Sequence, residues 1–364
     1  MSLPLHENYN LSRLPMRILL IYIALIISTL PLAAQRLLWD AELSTQFDNR
    51  EYNTALTPSQ TFFGLRATPE LGIGWHAHAL KLGVAANLEY GATPFELPPA
   101  LLLYYQYRSE RFGASVGFIP TSQLRGDYPH AIRSDSARFY DNTLQGALLQ
   151  YVAPRGFIEL SIDWRGRRDT YRREQFVILS AGRYARNALY AGYHLQMMHY
   201  ARQNDGTTAT GTNSVVDNIQ LHPHLGANIS HRIWFDSLTV QAGWVISYQN
   251  DRGVENGASL PSGALLDLRL EKYGIGIYNS LYLGDNLLPY YATYGTALYT
   301  NDPYYQTNTG VYNRLELYWH AVRSRSLDLK ISSIHHYDGV CWGWQQFATL
   351  SVTLDQETLG LRRR

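Results

Sequence analysis

His130, Ser134, Asp135 and Ser136 fall within one short stretch and are the residue types from which a base, a nucleophile and an orienting acid are made. Neither serine sits in a Gly-x-Ser-x-Gly elbow, so the grouping does not specify a hydrolase. His222 and His224, two apart, share a face if the segment is a strand and supply half of a metal site. The sequence offers no third ligand beside them, and no metal or cofactor is expected. His335 and His336 point to opposite faces of a strand and cannot chelate together. Charge is the denser signal. Between Pro120 and Asn142 the chain carries Arg125, Asp127, Arg133, Asp135, Arg138 and Asp141. Folded into a bore, these residues would set opposed charges across it and create a transverse field, a constriction that orients polar solutes. Tyr128, Phe139 and Tyr140 would add stacking surfaces for sugars. Left outside, the same charges would be surface pairs of little energetic weight.

The elements that must position these residues are strands. Leu80, Leu82, Val84, Ala86, Leu88 and Tyr90 alternate with Lys81, Gly83, Ala85, Asn87 and Glu89, giving one apolar face and one polar face. The same pattern recurs along the chain. It predicts strands at 37–49, 60–75, 78–90, 98–108, 111–119, 143–152, 156–165, 174–185, 188–201, 218–231, 236–249, 261–271, 273–283, 311–322, 326–337 and 342–355. Every second connection is tiny, and the others run long at 50–59, 91–97, 120–142, 166–173, 202–217, 250–260 and 284–310. Short turns on one rim and long loops on the other, with an even strand count, describe an antiparallel transmembrane β-barrel of about 16 strands, with short periplasmic turns and long extracellular loops. Pro69 and Pro223 interrupt predicted strands and lack a ladder donor, which calls for bulges and keeps fourteen to eighteen strands compatible with the pattern.

The phase of the alternation places Arg66, Lys81, Glu89, Glu159, Asp163, His222, His224, Asp267, Arg269, Arg314, Glu316, Asp328 and Lys330 in the lumen, a pore lining of mixed sign. Sixteen strands enclose a bore wide enough for water. The loop 284–310 carries Tyr290, Tyr291, Tyr294, Tyr299, Tyr304 and Tyr305, costly to expose, and is expected to pack over the mouth. Tyr90, Trp164 and Tyr248 fall at the long-loop ends of the lipid phase and Trp75 and Trp319 at the short-turn ends, as interface girdles require. Arg165, Arg167, Arg168, Arg172 and Arg173 crowd the fourth long loop, where guanidinium groups would meet phosphate.

Residues 1–34 read as a secretory signal peptide: Arg17, an apolar run from Ile18 to Leu30, then Ala33-Ala34 before Gln35, with 1–15 as an upstream extension. Residues 35–364 then form a single barrel domain. The chain is 46% hydrophobic, yet its mean hydropathy is −0.24, which excludes a helical membrane protein. Alternating strands hide their lipid face from such averages. Removing 1–34 takes away Arg13, Arg17 and Glu7 and leaves 29 basic against 29 acidic residues, so a nucleic-acid partner has no electrostatic support. One cysteine, Cys341, rules out an internal disulfide.

Ser134-Asp135-Ser136 followed by Phe139-Tyr140 and Leu144-Gln145-Gly146, together with Gly284-Asp285-Asn286, Pro289-Tyr290-Tyr291, Tyr294-Gly295, Leu298-Tyr299 and Asp302-Pro303-Tyr304-Tyr305, resemble uncharacterised porin-like outer-membrane proteins of Bacteroidota. The resemblance implies an outer-membrane barrel and names no substrate. The chain departs from such barrels in ending on Leu361-Arg362-Arg363-Arg364 rather than an aromatic residue. The sequence therefore leads us to expect an integral outer-membrane channel for passive diffusion of small polar solutes, without enzymatic activity. The alternative is a binding, adhesion or assembly barrel whose loops plug the bore, and a lipid hydrolase is the third reading. The expected partners are outer-membrane lipid and lipopolysaccharide, a small polar solute and the barrel assembly machinery. Oligomeric state is left open.

Overall fold

A computed structural model describes residues 35–204 and 211–356. The expected signal peptide at 1–34 and the C-terminal arginines lie outside them. Among the described residues there are seventeen strands: β1 (Gln35–Tyr52), β2 (Gln60–Trp75), β3 (His78–Glu89), β4 (Ala100–Arg108), β5 (Phe112–Pro120), β6 (Thr143–Ala153), β7 (Gly156–Gly166), β8 (Gln175–Arg186), β9 (Leu189–Tyr200), β10 (Val216–Asn228), β11 (Ser237–Asp251), β12 (Ala258–Ser259), β13 (Ser262–Lys272), β14 (Ile275–Gly284), β15 (Val311–Arg323), β16 (Leu327–Tyr337) and β17 (Trp342–Asp355). β12 is a two-residue ladder on β11 at the long-loop rim. The other sixteen form the wall, each antiparallel to its chain neighbours, and β1 closes on β17 from Asp40↔Asp355 to Tyr52↔Gly343. The fold is a closed sixteen-stranded transmembrane barrel.

Alternation is what orients the wall. On β7, Ile158, Leu160 and Ile162 are 38–49% exposed on the outside, while Glu159, Ser161 and Asp163 between them are 1–2% exposed inside. A one-residue slip would turn every one of these side chains to the wrong medium, so the register is strongly specified. Tyr90, Trp164, Tyr248 and Trp319 all stand exposed on the outer face.

Two sequence expectations are corrected. Pro69 and Pro223 do not cause bulges. The β2–β3 pairing resumes at Glu70↔Gly83 in the register it left at Ala67↔Ala86, and the β10–β11 pairing resumes at His224↔Gly243 after Leu221↔Ile246. Each proline costs ladder contacts on one side only. The other side stays paired, Pro69 opposite Ala41 and Pro223 opposite Tyr193. Register shifts occur instead at His320/Val322 and Trp164/Gly166. The turn assigned to Lys272 alone is Tyr273-Gly274, with φ of +53° and +79°, the left-handed pair that a two-residue hairpin of matching twist demands.

The bore is filled from the long-loop side. Segments 120–142 and 284–310 fold inward and pack on each other and on the wall. Tyr128, Ala131 and Ile132 from the first join Leu287, Leu288, Tyr294, Leu298, Tyr299, Tyr304 and Tyr305 from the second in one buried apolar cluster. The wall contributes Val177, Leu179, Met198, Val216, Val245, Leu265, Tyr282 and Tyr312. A polar lumen thus holds an apolar core of its own, which makes the inserted loops a plug.

Candidate functional site

The plug is sewn in by hydrogen bonds. Its two segments are joined by Ser134 N donating to the Thr300 carbonyl at 2.7 Å, Asp302 N to His130 O at 3.0 Å and Thr300 Oγ1 to Ile132 O at 2.8 Å. The second segment is fixed to the wall by Asn218 Nδ2 to Leu298 O at 3.1 Å, and by Tyr299 Oη to Gln249 Oε1 at 2.9 Å. Tyr304 lies flat over the neighbouring rings of Tyr312 and His336, 5.1 and 4.6 Å from their centroids.

The charged residues of 120–142 are largely consumed in these attachments. Glu159 accepts from the backbone nitrogens of Arg125 and Gly126 at 2.7 and 2.8 Å and from the Tyr128 hydroxyl at 3.3 Å. Asp135 sits between His130 Nε2 and Arg314, each at 3.1 Å. Asp141 pairs with Arg165, which also holds Asp163 at 2.7 Å. Arg133 donates to the Asp141 carbonyl and Arg138 to that of Tyr128. Arg125 and Asp127 stand exposed, Asp127 about 4 Å from both Arg138 and Arg269. The burial of Asp135 pushes its carboxyl up, yet the charges of His130 and Arg314 outweigh that and hold it well below the usual carboxylate range.

Every residue assigned to the pore lining lies in the luminal phase of its strand. Arg66 pairs with Glu42 at 2.7 Å, Lys81 with Glu70 at 3.2 Å, and Arg314 with Glu316 at 2.9 Å. Glu316 also binds Lys330, Asp328 binds His320 at 2.9 Å, and Asp267 accepts from Tyr278 at 2.9 Å. Arg269 lies over the Tyr278 ring, and Glu89 accepts from Tyr140 of the plug at 2.5 Å. His222 and His224 are joined by His194.

The hydrolase constellation suggested by sequence does not assemble. His130 is committed to Asp135, the Ser134 oxygen caps the helix Asp135–Tyr140 by accepting from Ala137 N, and Ser136 accepts from Arg50 at 2.8 Å. Of the fourth-loop arginines, Arg173 is turned inward, donating to the carbonyls of Ala201 and Thr212 at 2.7 and 2.9 Å and to that of Ser214.

A different constellation lies on the outer face. Cross-strand pairing brings Trp164 opposite Phe176, Phe176 opposite His199, His199 opposite Asp217 and Asp217 opposite Asn250. This is one lateral row over five strands, all in the lipid-facing phase and level with the girdle residue Trp164. Trp164, Phe176 and His199 stack with centroids 5.3 and 4.8 Å apart. His199 Nδ1 meets Asp217 Oδ1 at 3.4 Å, and Asp217 is held from the other side by Arg252, with nitrogens at 2.8 and 2.9 Å. A second polar group, Asn49 with Glu51 and Thr61, occupies the outer face of β1 and β2 at the same rim and contains no imidazole. Sequence reasoning missed the His199 row because Asp217 fell into the loop predicted at 202–217. Polar residues in a lipid-facing phase were the available signal.

In fold the chain is similar to a loop-deleted OmpT, an outer membrane protein of Vibrio cholerae, with a TM-score of 0.54 at 9% identity over 88% of this chain and all of that one. OccK11 of Pseudomonas aeruginosa gives 0.49 at 10% identity, covering 88% and 96%, and OprD of the same organism 0.45 at 11%, covering 88% and 94%. No curated protein matches the sequence. The family model described as lipid A 3′-O-deacylase-type matches residues 31–346. That match overturns the expectation of a protein without enzymatic activity, which rested on the missing Gly-x-Ser-x-Gly elbow around Ser134 and Ser136. By this match the chain belongs to the lipid A 3′-O-deacylase-type family.

Proposed function

We propose that the protein is an outer-membrane ester hydrolase that removes an acyl chain from lipid A, with His199 as general base and Asp217 as the group that orients it. The observation that carries this is the outward-facing pair at the depth of the aromatic girdle. Trp and Tyr settle at the membrane–water interface, and the acyl esters of an outer-leaflet lipid lie at that depth. A catalytic group in the lumen would be separated from them by the wall.

The chemistry follows from the pair. Asp217 on Nδ1 leaves Nε2 of His199 to take a proton from water as its oxygen attacks the ester carbonyl. The tetrahedral oxyanion collapses by expelling the sugar alkoxide, which takes the proton from the imidazolium. The products are a free fatty acid and a free hydroxyl. Asn250 stands next in the row as a neutral donor for the oxyanion, and Arg252 offers a charge for an anionic headgroup. Family membership supports the same reading.

The test is fatty-acid release from lipid A in mixed micelles, followed by mass spectrometry. His199→Gln should lower the rate by about 10²-fold or more and Asp217→Asn by less, as loss of a base and of its orienting acid predict. Glu51→Gln should leave it unchanged. Loss of activity in Glu51→Gln with retention in His199→Gln would move the centre to β1–β2 and overturn the assignment.

A second reading, passage of small polar solutes, is favoured by mixed-charge cavities on the short-turn side of the plug. One of about 360 Å³ is lined by Arg125, Asp127, Arg138, Asp267 and Arg269, another of about 820 Å³ by Glu271, Glu316 and Lys330. In this reading the charges of 120–142 form the constriction. Defined conductance steps in planar bilayers support it, and their absence rules it out.

A further inference from the structure

His194, on β9, lies directly opposite His222 on β10, and His224 follows two residues on in the same luminal phase. All three are buried, at 8%, 0% and 7% exposure. One ring nitrogen from each lies within 4.8 Å of the other two. His194 Nδ1 and His222 Nδ1 are 3.4 Å apart. For a tetrahedral ion with metal–nitrogen bonds of about 2.0–2.1 Å, two ligand nitrogens stand about 3.4 Å apart. The rings are gathered with centroids 4.9, 5.1 and 5.7 Å apart. Glycines make the room: a Cβ at Gly243 would lie 2.3 Å from His222 Nε2, and one at Gly192 2.5 Å from His224 Nε2.

The polar accounting sets this cluster apart. His130, His199, His320 and His336 each have a carboxylate, or tyrosine and glutamine, as partner. The three clustered imidazoles meet each other and the His222 carbonyl, which faces His224 Nδ1 at 3.3 Å. His222 Nε2 is buried with no hydrogen-bond partner. His194 also lines the 360 Å³ cavity on the short-turn side, which gives an ion a way in and space for a water as fourth ligand.

We propose that His194, His222 and His224 bind one divalent transition-metal ion of the zinc class. Imidazole favours zinc, copper and nickel over calcium and magnesium, which require oxygen ligands. The site is separate from the outer-face row and does not depend on the hydrolase reading.

The test loads the purified full-length barrel with Zn²⁺, removes free ion by gel filtration and measures zinc per chain, with affinity read by competition against a chromogenic chelator. One equivalent is expected in the wild type. A His194→Gln/His222→Gln/His224→Gln variant should lose it, each single variant should bind more than about tenfold more weakly, and His335→Gln, on the outer face, should bind as the wild type does. Zinc retained by the triple variant, or none in the wild type, overturns the site. Because the triple variant could fail to fold, Co²⁺-loaded wild type gives an independent reading: ligand-field bands of a four-coordinate, nitrogen-rich site are expected, and a purely aqueous Co²⁺ spectrum overturns the proposal.

Discussion

Asp135 anchors the plug through a charge rather than through shape. Its carboxylate joins His130 of the same segment to Arg314 of the wall, and Arg314, 2% exposed, also holds Glu316. A carboxyl whose folded pKa lies below its unfolded value contributes stability that is complete above the unfolded value, here 3.8, and is lost as pH falls through the folded one. Hydrogen exchange of 120–142, corrected for its intrinsic pH dependence, should therefore be steady from neutral pH down to about 4 and accelerate below that. Asp135→Asn should loosen the segment at neutral pH by about 3 kcal/mol, the low end for breaking a buried pair, because Glu316 remains to partner Arg314, and the difference from the wild type should shrink as pH falls through the folded pKa of Asp135. If 120–142 exchanges no faster in Asp135→Asn, the ion pair does not hold the plug. Asp135 and Arg314 were both legible in the sequence as luminal candidates. Their pairing across 179 residues was not, because no short turn links the segments that carry them.

At the scale of the element, the wall could be read from alternation alone, since a lipid face and a water face leave a period of two in every strand. Bounds drifted where alternation fades: β10 begins at Val216 rather than 218, and that difference concealed Asp217. Register across a long connection also escaped. β9 and β10 are joined through 201–215, so nothing in the sequence set His194 opposite His222. The direction of the inserted loops had a signal. Leu287, Leu288 and Leu298, among six tyrosines, are too apolar for a solvated loop and all end up fully buried. Leu298→Ala should cost the plug about 2–5 kcal/mol, the range for a leucine lost from a packed core. The loss should be local, with faster hydrogen exchange over 287–305 and unchanged exchange in β1–β5. Uniformly faster exchange throughout the barrel would mean that plug and wall unfold as one unit.

On the proposed function, the whole molecule separates two jobs by placing them on opposite faces of one wall. Sixteen strands enclose enough width for an aqueous channel, so in a barrel of this size the state of the bore is set by the inserted segments, whereas the His199 row depends only on register among β7 to β11. The closure of β1 on β17 and the ladder between neighbours involve no residue of 287–305. Replacing 287–305 with a short Gly-Ser linker should therefore leave a folded barrel, turn a silent protein into one with defined conductance steps, and leave fatty-acid release from lipid A close to that of the intact chain. His199→Gln should do the reverse, abolishing release without opening the bore. If the linker variant conducts and also loses release, the inserted loops belong to the catalytic apparatus, and the division between an inner plug and an outer active face fails.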